Sequence, residues 1–381
     1  MKIKAIKYIG FYDVAQNGEE NRGYSLAAIT KMNYICDVLN KIGYEVLIIS
    51  PSRTKNNRFY NGKTIQINKH TSLKLFPTFP WGNKLQKAFS LVASDIMLFW
   101  YLLTQVKRNE AIMVYHSLGL RGIVRFAKKV RGFKVVLEVE EIYQDVMSYS
   151  KYTMKNEYKT IAIADKYIFP TELLNEKLNI SNKPYTIIYG TYKVEEHRNY
   201  KFEDDKIHVV YAGTFDPRKG GALAAAAAAE YLSNRYHVHI IGFGSKEQIE
   251  YVKDTIKEVS KKTEAAITYD GLLKGEEYIT FLQKCDIGLS TQMPGATFNV
   301  TSFPSKILSY MANGLRVVSV RIEAIEKSAV GNAVYYYEEQ TPESIAEAID
   351  SIDLNEIYDS RELIRKLDVD FAESLRKLLE V

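Results

Sequence analysis

The sequence predicts an α/β protein made of two successive Rossmann-like halves. Three observations carry that reading. Short apolar strands alternate with helical periodicity from Lys4 to Tyr189, and the alternation restarts at Ile207 and continues to Ile352. Between the halves, residues 193–206 (KVEEHRNYKFEDDK) are charged and without period, as a linker is. In the second half three strands run straight into glycine-bearing loops, at 212–221, 242–245 and 269–273. A parallel sheet places all such loops on the one edge where ligands bind. The expected organisation is a first domain over 1–192, the linker 193–206, a second domain over 207–358, and a helix over 359–381 returning to the first domain.

Lys4–Phe11 reads as the first strand, and a polar loop, Asp13–Gly23, follows it. Leu26, Ile29, Met32, Ile35 and Leu39 recur at helical spacing up to Gly43, and Glu45–Ser50 is the next strand. Residues 51–87 read as irregular and basic. The apolar stretch Ala88–Val106 carries Asp95 and is shorter than a typical membrane span, so it reads as a buried or interfacial helix. Ala111–Tyr115, Lys134–Val139, Asp165–Phe169 and Thr186–Tyr189 complete about six strands.

In the second half the strands are Ile207–Ala212, His237–Ile241, Ile267–Tyr269, Ile287–Ser290 and Val334–Tyr337, and an apolar strand begins at Val317-Val318. Helices are expected over Ala222–Leu232, Gln248–Lys261, Glu276–Lys284, Pro342–Ile352 and Ser360–Leu379. The segment Phe303-Pro304-Ser305-Lys306 leads into a helix that Gly314 closes, with Pro304 suited to the first helical position. Ser305 and Lys306 then stand beside free N–H groups at the positive helix end, a natural anion site. Arg218, Lys219 and Gly220-Gly221 offer a second one at the start of the alanine helix.

Net charge is +5, from 51 basic and 46 acidic residues, too mild a balance to suggest nucleic acid. It suits an anionic small ligand or an anionic membrane face. Cys36 and Cys285 are far apart and outside any CxxC or Cys/His motif, which points to buried thiols in a reducing cytoplasm. The N-terminal apolar run is too short and interrupted for a signal peptide.

The strings VVYAGTFDPRKGG, HIIGFGS, YDGLL, CDIGLST and FPSKILSYMANGLRVVS resemble the donor half of family 4 glycosyltransferases. That resemblance implies the GT-B fold: two Rossmann-like domains facing across a cleft, with no required metal and no cofactor. The donor would be a nucleoside-diphosphate sugar, linked to UDP or GDP. Gly213 and Lys219 match the family's glycine and diphosphate-binding lysine. Thr214 stands where the family has arginine, and Arg218 is placed to compensate. Ser305 and Lys306 are expected on the diphosphate. Gly242 and Gly244 match the second glycine loop, and Tyr269, Asp270, Gly271 and Leu272 the loop that holds the base. Thr301 and Ser309 occupy the places of two family glutamates, with Ser309 expected near the nucleotide.

In the first half, Glu140 and Glu141 follow the strand KVVLEV where the family often has a His-Asp pair. Either carboxylate could act as general base or stabilise charge on the sugar. His116 after its strand is a further catalytic candidate, and Asn21, Arg22 and Gly23 are candidates for the acceptor side of the cleft. The expected activity is a retaining, hexosyltransferase-type enzyme of surface polysaccharide or glycoconjugate synthesis, with a glycan or lipid-linked acceptor. The alternative is a non-catalytic subunit that binds a nucleotide or a partner enzyme. A peripheral membrane contact at the inner face is expected through Arg53–Lys87, where Lys63, Lys69, Lys74, Lys84 and Lys87 interleave with Phe76, Phe79 and Trp81, and through the helix after it.

Overall fold

The computed structural model describes residues 4–146, 149–218 and 220–380. They form two units, one of residues 1–188 with 370–381 and one of residues 189–369.

The first unit holds an eight-stranded sheet. Its strands are β1 (Lys4–Ile9), β2 (Tyr44–Ser50), β3 (Lys63–Asn68), β4 (Thr71–Leu75), β5 (Ala111–Tyr115), β6 (Lys134–Glu138), β7 (Lys166–Phe169) and β8 (Tyr185–Ile187). Their order is β3-β4-β2-β1-β5-β6-β7-β8, parallel except where β3 meets β4. The order reverses between β1 and β5, so their carboxyl ends open a crevice.

Residues 51–87 are therefore not wholly irregular. They include the β3–β4 hairpin, whose outer strand is mostly exposed and polar and so lacks an apolar signature. The aromatic residues of that segment largely pack on their own unit. Phe76 is buried beside Tyr101, Phe79 lies between Phe59 and Phe89, and Lys63 pairs with Glu20 at 2.6 Å.

The apolar helix spans Lys84–Gln105, opened by a capping box between Asn83 and Gln86. It differs from a buried helix. Ser90, Ser94, Leu98 and Leu102 form its buried face, while Leu85, Phe89, Val92, Ile96 and Trp100 are exposed at steps of three and four residues. Helix Arg121–Arg131 packs beside it and exposes Phe126 and Val130.

The second unit holds six parallel strands: β9 (Ile207–Thr214), β10 (Tyr236–Phe243), β11 (Ala266–Gly271), β12 (Ile287–Ser290), β13 (Arg316–Val320) and β14 (Val334–Tyr337). The order β11-β10-β9-β12-β13-β14 is the Rossmann order, with its switch point between β9 and β12. Those two strands pair only at Val209–Ile287 and Val210–Gly288. Beyond that the Tyr310 hydroxyl fills the gap, accepting from the Ala212 N–H at 2.8 Å and donating to the Leu289 carbonyl at 3.2 Å. Gly288 makes room for that ring, because an added Cβ would overlap Tyr310.

The segment expected as the linker belongs to the second unit. Phe202 stacks on His208, Arg198 pairs with Glu276, and the Glu196 carbonyl accepts from Gln283, so anchors amid the charges hold it down. The last helix, Ser360–Glu380, is divided between the units at Asp370. Within the first unit Phe371 stacks on Tyr34, and Lys166 donates to the Leu378 carbonyl.

Candidate functional site

The second unit gathers its candidates at the carboxyl end of β9 and β10. Gly213 and Gly242 are register partners there. Gly242 has φ +144°, and a Cβ on it would overlap the Gly213 carbonyl, so only glycine lets the two strands end so close. The Lys306 ammonium lies 4.0 Å from the centre of the Tyr211 ring. It also stands 3.0 Å from the position a Cβ on Gly213 would take. Helix Lys306–Ala312 thus carries its first lysine onto the glycine that ends β9. Pro304 precedes the helix instead of opening it. Ser305 is the exposed N-cap, and its side chain makes no capping bond.

Beside this point is a pocket of about 590 Å³ lined by Thr214, Phe215, Asp216, Arg218, Phe243, Gly244, Ser245 and Gln248. Phe243 is exposed, Tyr269 meets Phe215 edge-on at 5.7 Å, and the Tyr269 hydroxyl donates to the Gly242 carbonyl at 3.3 Å. Flat apolar surface beside a cation suits a heteroaromatic base joined to phosphates. Helix Gly221–Ala228 starts without a side-chain cap, and Thr291 donates to the Gly221 carbonyl at 2.7 Å.

Other members of the set sit differently. Lys219 lies outside the described residues. Arg218 is engaged by Asp216 at 2.6 Å on an exposed loop, so its charge is already partly neutralised. The Asp270 side chain accepts from Thr268 at 2.8 Å and stands 3.1 Å from His239, which leaves its backbone and that of Gly271, at φ +82°, as the groups available to a base. Leu272 is exposed, and the Ser309 hydroxyl is 3.3 Å from that of Tyr278.

The first unit has its own pocket, about 480 Å³, at the β1–β5 switch point. Phe11, Gly23, Tyr24, Arg53, Lys55, Trp81, Tyr115 and Tyr143 line it. Loop 21–23 is tied to 53–55. Gly23 donates to the Arg53 carbonyl at 2.8 Å, and Lys55 donates its N–H to the Asn21 carbonyl at 2.9 Å. Asn21 is left-handed at φ 43°. Aromatic walls with two cations form a surface able to hold a sugar or a phosphorylated acceptor.

Two first-unit candidates are corrected. The Arg22 side chain is fully buried, paired with Glu20 at 2.6 Å and donating to the Ser52 and Phe76 carbonyls, so it holds the loop and faces no ligand. His116 is 3% exposed, and burial lowers its pKa to about 4. It is a neutral packed ring 3.7 Å from Glu157, without an exposed nitrogen for a substrate.

The acidic pair also changes membership. In an extended chain, residues two apart share a face, so Glu140 neighbours Glu138 and not Glu141. Glu138 is fully buried and accepts from the Tyr8 hydroxyl. Burial, and then the neighbouring Glu140, raise its pKa well above the ordinary 4.5, so Glu138 keeps its proton. Glu140 pairs with Lys31 at 3.2 Å, and Lys31 also donates to the Ile188 carbonyl at 3.0 Å. Glu140 is thus the carboxylate held by an ion pair. Glu141 is partly buried and is near enough to Tyr143 to help raise that hydroxyl's pKa to about 12 after burial.

Two Rossmann-like sheets, one ending in a glycine-floored pocket, define a two-unit α/β protein. Residues 206–353 match the family described as glycosyl transferases group 1. The chain has the GT-B fold, which it shares with solved structures along its whole length. A trehalose-6-phosphate structure from E. coli bound with UDP-2-fluoro glucose aligns at TM-score 0.70 with 10% identity, covering 99% of both chains. Sucrose-phosphate synthase from Thermosynechococcus elongatus aligns at 0.69 with 13% identity, covering 99% of this chain and 98% of that one. A glycosyltransferase involved in avilamycin A biosynthesis aligns at 0.57 with 11% identity, covering 99% and 97%. No curated protein matches the chain in sequence.

Proposed function

We propose that the protein transfers a hexose from a nucleoside-diphosphate sugar to a hydroxyl of a glycan or lipid-linked acceptor in surface polysaccharide or glycoconjugate synthesis. The observation that carries this reading is the Lys306 ammonium held over Tyr211 at the glycine end of β9, beside a pocket walled by Phe215 and Phe243. A fixed cation at that point neutralises the diphosphate as its bond to the anomeric carbon breaks. Lys219 and the uncapped start of helix Gly221–Ala228 would share the task. No metal is needed for this step when lysine and helix amides carry the charge. Retention at the anomeric carbon follows from the family resemblance.

In the first unit the aromatic pocket with Arg53 and Lys55 is the acceptor site, and Glu140 is the carboxylate offered to the acceptor hydroxyl or to the sugar's developing charge. The outward apolar face of helix Lys84–Gln105, with Lys84 and Lys87 at its start, is the membrane contact at the inner face.

A panel of UDP- and GDP-linked hexoses, followed by release of free UDP or GDP, tests the reading. Turnover with one donor supports it. Tight nucleotide binding without release from any donor, with or without added acceptors, favours the non-catalytic subunit that the replacement of both family glutamates by Thr301 and Ser309 suggests.

A further inference from the structure

At the amino ends of β9 and β10, the edge of the second sheet opposite the nucleotide pocket, three histidines share one face. His208 on β9 is the register partner of His237 on β10, and His239 lies two residues further along. A ring nitrogen of each lies within 4.8 Å of the others. His208 Nδ1 and His239 Nε2 are 3.0 Å apart.

The opposite side of each ring is held as well. His208 Nε2 is 2.8 Å from Asp204, His239 Nδ1 is 3.1 Å from Asp270, and His237 Nε2 is 3.1 Å from the Thr268 hydroxyl. Thr268 in turn donates to Asp270 at 2.8 Å. Phe202 and Phe281 cover the rings.

We infer that this cluster is a binding site for a divalent transition metal of the zinc type. Imidazoles whose far nitrogens are held by carboxylates and a hydroxyl are the arrangement that fixes histidine tautomers for a metal. The two carboxylates, Asp204 and Asp270, balance the charge of a divalent ion. Three neutral nitrogen donors and no thiolate select zinc, nickel or copper over magnesium or calcium. Metal–nitrogen bonds of about 2.0–2.1 Å need nitrogens roughly 3.3 Å apart, so little movement is required at the His208–His239 pair. The way in is open: His237 is only partly buried, and the Asp204 side chain is 47% exposed. A fourth position is left to water on that side.

Bound there, the ion would fasten β9 to β10 and the segment carrying Phe202 to both. Asp270, which holds His239, is shared with the base loop, where the donor reading uses only its backbone, so a test by metal binding is independent of the proposed activity.

The test uses the full chain, stripped with a chelator and titrated with zinc against a chromophoric competitor. Stoichiometric binding, about one ion per chain, is expected. Cobalt in place of zinc should give the visible absorption of a nitrogen-ligated four-coordinate ion. His237→Asn should abolish stoichiometric binding. Asp204→Asn, at an exposed position that leaves folding intact, should weaken it by about 10–100-fold. Absence of stoichiometric binding by the wild-type chain overturns the site. So does wild-type affinity in both variants, which would put the ion elsewhere.

Discussion

Replacing Lys306 with alanine tests the donor site most directly. The ammonium sits 4.0 Å over the Tyr211 ring, at the glycine end of β9 where a diphosphate would lie. Truncation removes one charge-assisted contact to phosphate, worth about 1.5–3 kcal/mol. At about 1.4 kcal/mol per decade, that is roughly a 10–150-fold loss of affinity. Lys306 is only half-buried, so solvent screening moves the expectation to the lower end of the range. The cation–π contact to Tyr211 that the fold loses is worth about 0.5–1 kcal/mol at an exposed site, and each kcal/mol lowers the melting temperature by about 2–4 °C for a unit of this size. Calorimetric titration with UDP and with GDP reads the change. The loss should shrink as salt rises, because a screened cation contributes less. Unchanged affinity for both nucleotides, or a loss accompanied by unfolding, would refute the placement of Lys306 on the diphosphate.

Four further expectations follow from the same geometry. Gly242→Ala should destabilise the second unit by at least about 1–3 kcal/mol in urea unfolding, because its φ of +144° and the Gly213 carbonyl leave no room for a Cβ. Glu138→Gln should change the pH dependence of stability. The folded-state pKa lies above the unfolded 4.5, so the buried acid's contribution is complete below that pH and fades as pH rises toward the native value. The Gln variant should therefore gain on the wild type in melting temperature from about pH 5 upward, and a constant gap from pH 4 to 8 would count against a protonated Glu138. Glu140→Gln should lower turnover while leaving UDP affinity intact, whereas full activity would return Glu140 to a structural ion pair with Lys31. Lys84→Glu with Lys87→Glu should reduce co-sedimentation with anionic vesicles, at about 1 kcal/mol per basic residue, and no binding at low salt would remove the membrane contact.

What the sequence makes legible is what periodicity and turn chemistry encode. Strands β12 and β14 run over Ile287–Ser290 and Val334–Tyr337, the bounds their apolar runs indicate. The three glycine loops fall on one sheet edge because each follows a strand of a parallel sheet. The β3–β4 hairpin stays hidden because an edge strand buries little, so its residues need not alternate in polarity. Charge without burial also misleads. Arg22 sits in a polar loop like a ligand contact, yet Glu20 and two carbonyls 30 and 54 residues away consume its donors.

Glu138 shows the converse case, where a signal existed and a local reading passed over it. In VVLEVEE the eye joins the adjacent glutamates, but strand geometry joins alternate ones. Glu138 and Glu140 share a face, and Tyr8 reaches the pair from β1 while Lys31 reaches it from helix Leu26–Lys41. Only a fold that brings residues more than 100 positions apart into contact can decide which carboxyl is buried and keeps its proton. The partition follows from that environment. The fully buried member pairs with a phenol and stays neutral, and the partly buried member pairs with an ammonium. A buried acid beside an ion-paired neighbour is a more specific arrangement than two solvated glutamates at a strand end. Under the proposed function it singles out Glu140, and not the adjacent pair, as the carboxylate for a substrate to meet.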